Sequence, residues 1–177
     1  MEFETRMDVK VGEYVEMIRL KTSVLLAAAL KIGAYLADAP AEDAEKLYEF
    51  GVKMGLAFQL QDDWLDVYGD PKVFGKNIGG DILCNKKTFM LITALEEANE
   101  EQRAALEGWL AAREYVPAEK IAAVTALYNE IGVGKRCQEM AEALNAEGFA
   151  ILDSINLPEE RKAVLKKYAC SMLNRNV

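Results

Sequence analysis

Apolar residues recur at steps of three and four along nearly the whole chain, as at Tyr14, Met17 and Ile18, then Val24 and Leu25, and later Leu47, Phe50, Gly51 and Met54. That spacing places them on one face of an α-helix, and the alternation of a half-buried strand is missing. The pattern predicts helices at roughly 11–37, 41–68, 85–98, 100–113, 117–131, 133–153 and 158–174, so the fold class is all-α. Pro40, Pro117 and Pro158 fall near helix starts, where the absent N–H costs nothing.

One stretch breaks the rhythm. Residues 69–81 carry four glycines, a proline and charges of both signs directly after the long second helix, and they read as a loop. A structured loop of that length is usually functional. Its Gly69 to Lys76 segment is not a nucleotide-binding P-loop. Five residues separate Gly69 from Gly75, Asn77 stands where Ser or Thr should be, and a helix precedes it instead of a strand.

Composition removes several function classes. The 177 residues suit one domain, with no linker or repeat to suggest a second. A formal charge of −8 argues against a nucleic-acid surface, which needs clustered bases. Cys84, Cys137 and Cys170 lack the spacings of a disulfide framework or a zinc site. With no histidine, Ser-His-Asp triads and His-ligated metals are out of reach. The apolar run from Val24 ends at Lys31, too short to cross a bilayer. Met1 to Arg6 is polar and acidic, so no signal peptide is expected and a cytoplasmic location is.

The candidate chemistry lies in Phe58-Gln59-Leu60-Gln61-Asp62-Asp63-Trp64-Leu65-Asp66. On a helix Asp62 and Asp66 share a face, Asp63 lies alongside and Gln59 sits one turn earlier. Like charges so close raise one another's pKa unless a cation lies between them, and hard oxygen ligands suit magnesium. A solvated acidic face is the plainer alternative. Against it stand the apolar neighbours and the lysines that follow, Lys76 in the glycine loop and Lys86 with Lys87 opening the next helix, which could neutralise a diphosphate or simply be solvated. Lys21-Thr22-Ser23 lies on the polar edge of an apolar helix, where Lys21 could equally be snorkelling. The small residues around it could let that helix pack closely, or line an apolar cavity.

Taken in order, these residues resemble the trans-prenyltransferases, or polyprenyl diphosphate synthases, which include farnesyl and geranylgeranyl diphosphate synthases. Phe58-Gln59, Asp62-Asp63-Trp64-Leu65-Asp66, Gly69-Asp70, Gly75-Lys76, Gly80-Asp81 and Lys86 look like the family's second aspartate-rich motif and trailing loop. Glu13-Tyr14 through Lys21-Thr22 is similar to its upstream lysine-threonine motif. The likeness runs from about Phe3 to Thr88 and is looser beyond.

The resemblance implies a helical bundle of the isoprenoid synthase type that joins an allylic diphosphate to isopentenyl diphosphate with Mg2+, usually as a homodimer. Carried over by position, Asp62 would be the firmest magnesium ligand, with Asp63 and Asp66 in support. Lys21 and Lys76 would hold the allylic diphosphate, assisted by Lys86. Thr22 and Gln59 would present oxygen dipoles to the carbocation. The family's first aspartate-rich motif and its isopentenyl-binding residues have no match here. The expectation is therefore the C-terminal portion of a single synthase domain, inactive or nearly so alone. Alternatives are a non-catalytic partner subunit of a complete synthase and, more weakly, a class I terpene cyclase.

Overall fold

The computed structural model describes residues 3, 6, 8–70 and 78–173. Every regular element among them is helical. In chain order they are α1 (Val11–Ile18), a π turn (Arg19–Ser23), α2 (Val24–Leu36), α3 (Ala41–Tyr68), α4 (Gly80–Leu83), α5 (Phe89–Glu97), α6 (Glu100–Ala111), α7 (Pro117–Ile131), α8 (Val133–Asp153) and α9 (Glu159–Leu173). None of the described helices is long and apolar enough to cross a membrane.

Three predicted boundaries change. The helix expected over 11–37 is interrupted by the π turn, in which Val24 donates its N–H to the Arg19 carbonyl, five residues back. The reason shows in the buried positions. Tyr14, Ile18, Ser23, Ala27 and Ala34 stay buried, yet the step from Ile18 to Ser23 is five residues, which an α-helix cannot keep on one face. The helix expected from Asn85 begins at Phe89, because Asn85 is left-handed at φ 51° and Thr88 is extended, its Oγ1 accepting the Leu91 N–H as an N-cap. Lys86 and Lys87 therefore precede the helix they were expected to open. Residues 80 and 81, expected in the loop, start the short α4.

The described residues form two compact units. One comprises Glu16–Gln61 and Glu139–Arg175. Its core joins Phe50 and Met54 of α3 to Leu152, Ile155 and Ala169, with Leu26, Leu30, Leu47 and Phe149 packed around them. Two glycines of α3 set how closely its neighbour lies. A Cβ on Gly51 would come within 2.6 Å of the Ala27 Cα, and one on Gly55 within 2.7 Å of the Ser23 Cα. The small residues of this stretch thus serve close packing.

The other unit comprises Met1–Val15 and Asp62–Gln138. Here α7 packs against α4, α5 and α6. The whole run Phe89–Ala94 is buried, as are Leu65, Val67, Ile82, Leu106, Val124 and Tyr128. Helix ends are chemically specified. Asn99 and Gln102 make a reciprocal capping box at α6, Pro117 opens α7, and Gly132 at φ 83° closes it.

Candidate active site

The C-terminal part of α3 carries Asp62, Asp63 and Asp66, and the structure separates them. Asp63 is 1% exposed. Its Oδ2 accepts hydrogen bonds from the Tyr14 hydroxyl and, at 3.3 Å, from the Phe89 N–H, while Oδ1 is buried with no hydrogen-bond partner among the described residues. Burial pushes the Asp63 carboxyl up to about 6, against the lowering pull of the Tyr14 hydrogen bond, the Lys86 charge and the Phe89 N–H. Grouped by sequence with Asp62 and Asp66 as expected magnesium ligands, Asp63 faces the core, since one helical residue turns a side chain by about 100°.

Asp66 is only half-buried and ties two elements together. Its Oδ2 accepts the Asp81 N–H at 2.9 Å, and its carbonyl accepts the Gly79 N–H at 2.6 Å. Gly79 is needed there twice over. Its φ is 82°, and a Cβ would lie 2.7 Å from Ile121. The α4 start is thus stitched to the acidic end of α3. Asp81 in turn receives both charge-assisted bonds of Lys86, at 2.9 and 2.8 Å.

The charge balance of this cluster is negative. Burial raises the Asp66 pKa, the Asp81 N–H opposes it, and the Asp81 and Asp62 charges add to it. Burial would lower the Lys86 pKa, but its bonds to Asp81 and the charges of Asp63 and Asp62 outweigh that and leave it raised. The charges of Asp62, Asp63, Asp66 and Asp81, among the described residues, all act on the Lys86 ammonium. Among the described residues no three acidic side chains converge to hold a metal by themselves. The carboxylates of Asp62 and Asp66 are hard oxygen donors of the kind magnesium takes one or two at a time, with water and phosphate oxygens completing its shell.

Thr22 and Gln59 are brought together. The Thr22 hydroxyl donates to Gln59 Oε1 at 3.4 Å, from the π turn to α3. Lys21 is exposed in the same turn. Lys76 lies outside the described residues. Sequence reasoning assigned no role to Tyr14, Asp81, Asn85 or Lys120, although Tyr14 and Asp81 sat inside the quoted motifs. Residues 1–131 match the family described as polyprenyl synthetase.

The chain belongs to the polyprenyl synthetase family. A short chain isoprenyl diphosphate synthase of Methanothermobacter thermautotrophicus is 46% identical over 103 residues, 58% of this chain and 32% of that protein. The crystal structure of a geranylgeranyl pyrophosphate synthase superposes with a TM-score of 0.90 at 35% identity, covering 99% of this chain and 55% of that one. A geranylgeranyl pyrophosphate synthase from Corynebacterium glutamicum, complexed with isoprenyl diphosphate and magnesium, gives a TM-score of 0.83 at 30% identity over 94% of this chain and 47% of that one. The polyprenyl synthetase chain thus spans about a third to a half of the length of these relatives. Its all-helical architecture is the one they share.

Proposed function

We propose that this chain supplies the diphosphate-binding, magnesium-dependent wall of a short-chain prenyltransferase, which condenses an allylic diphosphate with isopentenyl diphosphate. The observation that carries the reading is the Asp66, Asp81 and Lys86 cluster at the end of α3, an acid-rich site with one ammonium. Family membership and the relatives' names supply the reaction class.

In this reading Asp62 and Asp66 would hold magnesium, which when bound neutralises the diphosphate and eases its departure. Asp63 supports them from the core side through Tyr14 and Phe89. Lys86 shares its ammonium between Asp81 and the diphosphate, and Lys21 and Lys76 donate to the same group. Thr22 and Gln59 turn oxygen dipoles toward the developing allylic cation. The apolar flanks Phe58, Leu60 and Leu65 limit competing water. Alone, the chain binds magnesium diphosphate and condenses nothing, because the family's other aspartate-rich motif is not among its residues.

Isothermal titration with inorganic pyrophosphate, with and without magnesium, tests the reading. Binding should require the metal and should be lost in Asp62→Ala. Equal heats with and without magnesium, or an unaffected Asp62→Ala, would sink it.

A further inference from the structure

A lysine is buried where a purely apolar side chain would pack at lower cost. Lys120, in the first turns of α7, is 1% exposed. Its Nζ donates to Asn85 Oδ1 at 2.6 Å and stands 4.3 Å from the centre of the Tyr115 ring. Its hydrogen-bond acceptor is thus a neutral amide. Removing an ammonium from water is costly unless its contacts do something in return.

Those contacts all converge on one turn. Asn85 holds the left-handed conformation at φ 51°, and its Nδ2 donates to the Leu110 carbonyl at 3.0 Å. The Tyr115 hydroxyl donates to the Leu83 carbonyl at 3.2 Å. The next residue is Lys86, whose N–H bonds the Asp81 carbonyl at 2.9 Å, and Thr88 donates its N–H to the Lys86 carbonyl at 2.9 Å. Asn85 is therefore clamped on one side by α7 and on the other by the end of α6, immediately before the ammonium of the acid-rich cluster.

We infer that Lys120, acting through Asn85, is a positioning residue that fixes the turn carrying Lys86 and so aims its ammonium at Asp81 and the diphosphate. The inference rests on the reading of Lys86 as a diphosphate contact. Lys120 touches neither substrate nor metal, and its effect passes wholly through the backbone of residues 84–88.

Two variants probe the clamp in the 177-residue chain. Lys120→Met keeps the buried stem and removes the charge. Asn85→Gly keeps the left-handed backbone and removes the amide. Each should weaken magnesium pyrophosphate binding about five- to tenfold, the scale of one ordinary net hydrogen bond. In a Lys86→Ala background the Lys120→Met change should add nothing, which a merely structural lysine would not produce. Amide exchange at Lys86 and Thr88 should also speed up in both variants, whatever the ligand. Unchanged exchange, or wild-type affinity in Lys120→Met, would overturn the clamp. Wild-type protein that fails to bind pyrophosphate would instead overturn the function proposed above and, with it, the aim ascribed to Lys86.

Discussion

The Tyr14 hydroxyl donates its hydrogen bond to Asp63, a carboxylate shut inside the protein, and so joins α1 to the acidic end of α3. The pair fixes the rotational phase of α3. With Asp63 held inward, Asp62 and Asp66 are carried together on the adjacent face of the helix. Tyr14→Phe leaves a buried acceptor with one fewer donor, so it should destabilise the protein by about 1–3 kcal/mol in urea unfolding. An unchanged midpoint and slope would show that the bond contributes nothing.

Two helix-interior glycines, Gly55 of α3 and Gly108 of α6, give opposed outcomes. Gly55→Ala puts a Cβ 2.7 Å from Ser23 backbone, which overpacks the contact and should cost about 1–3 kcal/mol. Gly108→Ala, inside α6 with nothing within 4 Å, should stabilise by about 0.5–1 kcal/mol through helix propensity. Thermal melts of the two variants should move in opposite directions.

Asp66 holds the Asp81 N–H and, under the proposed function, magnesium, and substitution can separate the two. Asp66→Asn keeps an acceptor for the Asp81 N–H and removes the charge, so stability should hold within about 1 kcal/mol while magnesium pyrophosphate binding falls at least about tenfold. Asp66→Ala removes the stitch as well and should lose stability too. Equal melting of the two variants would deny the stitch.

Lys120 also makes stability depend on pH in a known sense. Burial lowers its pKa, with the Cys84 charge opposing. The unfolded chain keeps that proton until about pH 10.4. Between the folded and unfolded values the unfolded state binds more protons, so the Lys120 contribution to stability rises with pH and levels off above about 10.4. Unfolding free energies of wild type minus Lys120→Met should therefore increase from pH 7 toward pH 10, and a flat difference would contradict the burial effect.

Much of this protein is legible in its hydrophobic spacing. The helix spans 41–68, 117–131 and 133–153 are as expected, because long amphipathic runs with Pro or Gly at their ends leave few choices. What spacing misses is local backbone conformation. Asn85 takes φ 51° although its neighbours Lys86 and Lys87 are good helix formers, and only the contacts from Lys120 and Leu110 show why. The candidate site divides the same way. Asp62, Asp66, Thr22 and Gln59 are readable as a pattern, whereas the inward turn of Asp63 and the pairing of Lys86 with Asp81 depend on partners distant in sequence or on a bent chain.

The π turn at Arg19–Ser23 has a bearing on which sequence changes the chain can absorb. A turn that takes five residues where an α-helix takes about four is a stored insertion. Deleting one residue from it would shorten the step from Ile18 to Ser23 to four residues, which ordinary helical winding keeps on one face. Ile18 would then stay in line with Ser23 and Ala27 as plain α-helix. The turn should therefore tolerate the loss of one residue better than the gain of one, since a further residue would turn Ile18 about 100° away from Ser23 and Ala27.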